Sequence, residues 1–278
     1  MSESSATAPA RKSILNPLMD VCLNTPQSMG SIYEKSTPLK IMPDVNVIKI
    51  GGQSFLDRGR EAMFPIRDEI RELAKEHHLL IGAGGGTRAR HAYSVALDLN
   101  LPTGVLATIG QATSVQNARI LQMLFAEFGG LFILPDDFQL LPLYFRMGCI
   151  PIMPGMPPYD YWEKPPAEGR IPPNRTDSGV YLSGEYLGAR KVIFVKDEQG
   201  LYTDDPKKNP SAEFIPRISV QELFERQLND LVVEPVVLEN MLRAVNVREI
   251  QIINGLEAGT LTRALEGEPV GTTIYVEE

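Results

Sequence analysis

Apolar positions fall into short runs and spaced stripes that alternate from Val45 almost to the last residue. Val45, Val47, Ile48 and Ile50 form a run that stops at Gly51-Gly52, which predicts a strand entering a turn. Met63, Ile66, Ile70 and Leu73 recur at spacings of three and four, one face of a helix. His78 to Ile81 reads as a second strand, ending in Gly82-Ala-Gly-Gly-Gly86. Ala89, Ala92, Tyr93 and Ala96 mark the next helix, and Ala118, Leu121, Phe125 and Phe128 another. Leu131–Leu134, Ile150–Met153, Lys191–Val195, Glu249–Ile253 and Thr273–Val276 read as further strands. Helical patterns lie between most of them, including Val237, Leu238, Met241, Leu242 and Val245. Nearly continuous apolar strands alternating with helices predict an α/β fold whose mostly parallel sheet is covered on both faces.

Two stretches break the pattern. Residues 1–40 hold ten Ser or Thr and no apolar periodicity, and read as an arm rather than a core element. Residues 154–173 hold seven of the 22 prolines together with Tyr159, Tyr161 and Trp162. That segment is too stiff and aromatic for a linker and reads as a long ordered loop, functional or packed on a neighbouring subunit.

Composition narrows the function classes. The 278 residues carry a net charge of −8, which argues against a nucleic-acid binder. No apolar run approaches a membrane span, and the polar N-terminus has no signal-peptide core. Cys22 and Cys149 make no disulfide framework, so the expected compartment is the reducing cytoplasm. Three histidines, His77, His78 and His91, exclude a His-rich metal site within one chain.

Ligands of open α/β sheets bind beyond the carboxyl ends of the strands, so the glycine turns there come first. Lys49-Ile-Gly-Gly-Gln-Ser54 puts a lysine at the end of the first strand, with two glycines whose N–H groups can form an anion nest. It fits either a phosphate cradle or a plain turn with a surface lysine. The second turn contains Gly84-x-Gly86-x-x-Ala89, a variant dinucleotide fingerprint, but the acid expected about twenty residues on is missing. A phosphate or oxyanion site fits better: glycines, a helix N-terminus, Arg88 and Arg90 all favour negative charge. GxxxxGK[ST] and GxSxG are both absent. Asp177 in Arg175-Thr-Asp-Ser-Gly179 fits a helix cap, or an acid orienting a lysine or metal. The segment from Lys196 and Asp197 through Tyr202 to Asp205-Pro206 fits a polar turn or a nucleoside clamp, the tyrosine ring facing a base. Asp136-Asp137 and Asp204-Asp205 read as solvated or capping pairs.

The order of these segments carries a resemblance. Lys49-x-Gly-Gly52, Gly84-Gly-Gly86, Thr176-Asp177, Lys196-Asp-x-x-Gly-Leu-Tyr-x-x-Asp-Pro206 and Val270-Gly-Thr272 together resemble the amino acid kinase superfamily, in its UMP-kinase-like branch. Val47–Ser54, Thr87–His91, Gly155–Tyr159, Pro166–Gly169, Ile171–Pro173 and Phe194–Asp197 are similar to the molybdenum storage proteins of that branch, their beta-type subunits in particular. The resemblance implies a three-layer α/β/α sandwich over 41–278 behind a partly extended arm. It implies ATP with Mg²⁺ on the turn Lys49–Gly52, Gly51 and Gly52 included. Lys49, Asp177 and Lys196 then stand at the transferred phosphoryl group. Gly85, Gly86 and Arg90 match the phosphate-facing turn, Asp197 adjoins it, and Tyr202 and Asp205 match the adenine side.

The storage family hydrolyses ATP to deposit molybdate or tungstate as oxometalate clusters inside a hollow hexamer. The resemblance therefore implies a homo-hexamer, or a hetero-hexamer with an alpha-type homologous subunit. Three departures bear on this. Gly110–Gln116 is neutral where UMP kinases hold the acceptor ribose with an Asp. Tyr159-Asp-Tyr-Trp162 replaces the alpha-type histidine cluster, and Pro135-Asp-Asp-Phe138 replaces a Gly/Ala-rich stretch. No cluster or metal ligands transfer. A UMP-kinase-like small-molecule kinase and a catalytically silent nucleotide-binding subunit stand as alternatives.

Overall fold

The computed structural model describes residues 39–157, 169–228 and 231–277. The arm of residues 1–40, save its last two residues, and most of the proline-rich loop therefore lie outside the described residues. In chain order the first half runs β1 (Val45–Ile50), α1 (Arg60–Leu73), β2 (His78–Ala83), α2 (Gly86–Asp98), α3 (Thr103–Leu124), β3 (Gly130–Phe132), α4 (Leu141–Arg146) and β4 (Ile150–Pro154). The second half runs α5 (Thr176–Leu187), β5 (Lys191–Lys196), β6 (Leu201–Tyr202), β7 (Phe214–Ile215), β8 (Arg217–Ser219), α6 (Val220–Arg226), α7 (Pro235–Met241), β9 (Glu249–Asn254), α8 (Thr260–Glu266) and β10 (Thr272–Tyr275).

Eight strands form one sheet in the order β3-β4-β2-β1-β5-β9-β10-β8. Every neighbouring pair is parallel except β9 with β10. β6 and β7 form a separate antiparallel ribbon. The central strands are buried along their length, as the continuous apolar runs require. Alternation sorts their side chains. Ile48, Ile50, Ile81 and Val195 pack under Met63, Ile66 and Ile70 of α1, Leu121 of α3 and Leu261 of α8. Val45, Val47, Val192 and Phe194 pack under Val180 and Tyr181 of α5 and Leu238 of α7. The result is helix, sheet, helix, with a separate small cluster of Ala89, Tyr93, Ala96 and Leu106 between α2 and α3.

Differences from the sequence pattern occur at element ends. The strand expected over Leu131–Leu134 is Gly130–Phe132, because Pro135 opens a 3₁₀ turn and Asp137 accepts the Leu134 N–H at 2.9 Å. The helix carrying Ala118 and Leu121 stops at Leu124; Phe125 caps it, still fully buried, and Phe128 sits in a short 3₁₀ turn. α7 ends at Met241, leaving Leu242 and Val245 exposed. The expected strand at Thr273–Val276 is present as β10 but runs against its neighbour β9.

Candidate functional site

The two lysines singled out from the sequence lie on adjacent strands. Val47, Lys49 and, on the neighbouring strand, Phe194 and Lys196 share the face covered by α5, since side chains alternate with a period of two. Lys49 and Lys196 are thus carried to the carboxyl ends of β1 and β5 on one side of the sheet. α5 presses close there because glycines remove the obstruction: a Cβ on Gly179 would stand 2.5 Å from Pro157 N and 2.6 Å from Met156 C. Asp177, in the first turn of α5, drops between the lysines. Its carboxylate meets Lys49 Nζ at 2.6 Å and Lys196 Nζ at 3.2 Å. All three residues are buried.

The charges hold one another. Burial works against the Asp177 carboxylate, but the pull of Lys196 and Lys49 overrides it and keeps the group well below the usual carboxylate range. Burial pushes the Lys196 ammonium down, with Asp177 opposing. The helix-capping reading of Asp177 is not what the structure has: the N-cap of α5 is Arg175, with no side-chain cap bond. Glu234 supplies that function from a distant loop. Its carboxylate accepts the N–H groups of Arg175 (3.0 Å), Asp177 (3.1 Å) and Ser178 (3.0 Å).

The two glycine turns flank this bridge. Asn117 of α3 donates its amide to Gly84 O (2.6 Å) and Gly85 O (2.8 Å), and Ser114 donates to Ala83 O at 3.0 Å while accepting from Gly155 N at 2.8 Å. Among the described residues, the Gly52 and Gln53 N–H groups are not spent on backbone acceptors. The start of α2 differs from expectation. Asp57 accepts the Thr87 N–H at 2.6 Å, and Arg88 bonds to Asp57 (3.1 Å) and Asn117 (2.8 Å). Arg88 therefore braces the turn, and of the two arginines assigned to an anion it is Arg90 that lines the cavity.

One cavity of about 1130 Å³ brings together Lys49, Gly52, Gly85, Gly86, Arg90, Asp177, Lys196, Asp197, Tyr202 and Asp205. Gly51 lies behind it, held by its N–H to Val195 O at 3.2 Å. Asp197 is paired with Arg58 and with Lys207 (3.1 Å), so burial, which would raise its pKa, is outweighed by these partners. Tyr202 presents its ring beside Phe214, centroids 5.5 Å apart. Asp205 accepts from Lys207 N (3.0 Å) and Lys208 Nζ (2.9 Å), and Asp204 accepts from Asn209, so this acidic pair shapes a turn. Asp137 is likewise a cap. His78 pairs with Asp44 at 2.7 Å and stacks on Phe145.

The sequence reading missed Glu234, Arg58, Asp57, Ser114 and Asn117. An acid directly before Pro235 was a signal for a helix start, but its partners lie 56 to 59 residues away.

The model of the amino acid kinase family matches residues 44–254. The chain belongs to the amino acid kinase family. It is 48% identical over 257 residues to the molybdenum storage protein subunit beta of Azotobacter vinelandii, covering 92% of this chain and 95% of that one. The uridylate kinase of Metallosphaera sedula is 27% identical, covering 82% and 97%. Among solved structures, the uridylate kinase of Archaeoglobus fulgidus superposes with a TM-score of 0.61 at 24% identity, over 82% of this chain and 99% of that one. The UMP kinase of Bacillus anthracis superposes with a TM-score of 0.64 at 18% identity, over 85% and 98%. These likenesses agree with the three-layer sandwich and parallel sheet. Among the described residues no helix is long and apolar enough to cross a membrane.

Proposed function

We propose that the chain is a beta-type subunit of a molybdenum storage protein, binding Mg·ATP and using its hydrolysis to deposit molybdate or tungstate as oxometalate clusters in an oligomeric cage. The observation that carries the nucleotide site is the buried Lys49–Asp177–Lys196 bridge on the floor of the cavity. The observation that carries storage is the 48% identity to the Azotobacter subunit along nearly its whole length.

Two ammonium groups fixed at strand ends supply positive charge where a γ-phosphoryl group spreads its negative charge during transfer. Asp177 lies between them: without it, two buried ammonium groups repel and burial drives Lys196 towards its neutral form. The Gly52 and Gln53 N–H groups face phosphate oxygens, and Gly85, Gly86 and Arg90 bound the same side. Tyr202 offers a ring to adenine, with Asp205 and Asp197 at that rim. In hydrolysis the bond from the γ-phosphorus to the ADP oxygen breaks, water oxygen bonds to phosphorus, and ADP, phosphate and a proton leave.

Mg²⁺ fits as the counterion of the nucleotide. Asp177 is saturated by two lysines and Glu234 by three amides, and among the described residues no group of three or more His, Cys, Asp or Glu stands together. Phosphate oxygens and water would therefore supply most of its ligands. An acidic chain repels molybdate at long range, so entry relies on local cations such as Arg90.

The assembly is a hexamer, of this chain alone or with an alpha-type homologue, in the cytoplasm. Incubation with molybdate, Mg²⁺ and ATP, followed by desalting, elemental analysis and native mass, tests the reading. Many metal atoms per hexamer, falling sharply when ATP is omitted, is the expected result. A monomeric mass, or background metal with ATP present, overturns storage. ADP release that depends on a small-molecule acceptor instead of molybdate identifies a kinase, and ATP binding without turnover a silent subunit.

A further inference from the structure

Among the described residues, Glu234 is the one buried acid of the cavity that the phosphoryl-transfer scheme does not use. Its side chain is 7% exposed and lines the cavity floor beside Arg175, Thr176, Asp177 and Lys196. Burying a carboxylate is costly unless its lone pairs are filled. Here Oε2 accepts from Arg175 N and Ser178 N, and Oε1 from Asp177 N, with the Arg175 guanidinium 3.5 Å from Oε1. Those amides are the first turn of α5, a 12-residue helix with no cap of its own. Asp177 is in that turn, and its own N–H is one of the three.

The segment that delivers Glu234 is under strain. Val232 has φ of +59°, an outlying conformation for a β-branched residue. Around it the Val233 N–H bonds to Leu231 O at 2.6 Å, closing a three-residue turn of the strained kind. Local strain persists where the surroundings over-determine it. The three amide bonds to Glu234 do so here, and Pro235 fixes the exit into α7.

We infer that Glu234 is a positioning residue for phosphoryl transfer: its carboxylate grips the first turn of α5 and so sets Asp177 between Lys49 and Lys196. It touches neither nucleotide nor phosphoryl group in this scheme and acts through Asp177. Its charge also reaches Lys196. The charged groups facing it are Arg175, the N-cap of α5, Asp177 from α5 and Lys196 from β5, with Lys49 of β1 on the far side of Asp177. Burial pushes the Lys196 ammonium down, and Asp177 first and Glu234 after it oppose that push, while burial and Asp177 push the Glu234 carboxyl itself up.

This inference rests on the reading of the cavity as an ATP site, so the experiment separates the two. Lysine side-chain NMR titration of the ligand-free protein, wild type against Glu234→Gln, requires no nucleotide. The Lys196 signal, assigned by Lys196→Arg, is expected to titrate at lower pH in Glu234→Gln. Steady-state ATP turnover is then expected to show kcat reduced at least tenfold, with KM for Mg·ATP within about threefold. Glu234→Ala, which opens space for a small carboxylate, is expected to regain turnover with formate and not with chloride. An unchanged Lys196 titration overturns the inference, as does wild-type kcat in either variant. Wild-type protein that neither binds nor hydrolyses ATP overturns the site reading, whatever Lys196 does.

Discussion

Gly52 and Gly86 meet backbone to backbone: a Cβ on Gly52 would stand 2.5 Å from Gly86 Cα and 3.0 Å from Gly85 C. The turn after β1 and the turn after β2 are thus one surface, braced from α3 by Asn117. Backbone atoms cannot move aside as a flexible side chain does. Gly52→Ala is therefore expected to lower stability by about 1–3 kcal/mol, the usual cost of overpacking. It also separates the two turns around the phosphates, so Mg·ATP affinity falls at least tenfold. Thermal melts and calorimetry of the variant check both; an unchanged melt with unchanged affinity means the turns do not need this contact.

Lys49→Ala removes one arm of the bridge and leaves Asp177 with Lys196 alone. A charge-assisted contact to phosphate contributes roughly 1.5–3 kcal/mol, or about 10- to 150-fold in Kd. The expected result is that loss in ATP affinity by calorimetry, with the fold retained in circular dichroism. Equal affinity in wild type and variant removes Lys49 from the phosphate site.

Much of this architecture is written locally in the chain. Continuous apolar runs such as Val45–Ile50 mark buried parallel strands, and both lysines of the bridge stand where those runs end. The glycine turns are legible because the required backbone approach excludes a Cβ. What is not legible depends on pairings far apart in sequence. Nothing near Asp177 says that Glu234 caps its helix, and nothing near Arg88 says that Asp57 and Asn117 claim it rather than a ligand. The short strands β6, β7 and β8 escape periodicity because two or three residues carry no period. The neutral stretch Gly110–Gln116 reads as a loss of acceptor chemistry; what the sequence does not tell is that its Ser114, with neighbouring Asn117, also tethers the second glycine turn and the end of β4.

Asp177→Asn leaves two buried ammonium groups facing each other and is expected to cost about 3–5 kcal/mol at neutral pH. The loss depends on pH with a definite sign. The native carboxyl titrates far below the unfolded value of about 3.9, so the unfolded chain takes up the proton first as pH falls. The stability contributed by Asp177 is then complete above about pH 4 and drains away as pH drops towards the native value. Urea melts of wild type and variant from neutral pH down into acid are expected to show a constant gap that narrows only at the acid end. A gap that closes near neutral pH contradicts a depressed native pKa.

UMP is expected to be a poor phosphoryl acceptor. Beyond Arg90, the part of the cavity furthest in sequence from the adenine clamp is lined by Ala89, Tyr93, Ser94, Leu97, Gly110 and Met156, with no carboxylate among them. A ribose offers two hydroxyl donors, and burying them without a charged acceptor forfeits about 1.5–3 kcal/mol that a carboxylate supplies. A site built to hydrogen-bond a hydroxyl gains specificity from that bond, and the described residues of this wall offer no carboxylate for it. Small inorganic oxyanions make no such demand; they need a cation, which Arg90 provides, and room. A coupled ADP-release assay with Mg·ATP is expected to show no saturable dependence on UMP, and Ser94→Asp to create a weak one. Rapid UMP-dependent ADP formation saturating at low UMP refutes the expectation and favours nucleotide phosphorylation over the proposed oxometalate storage.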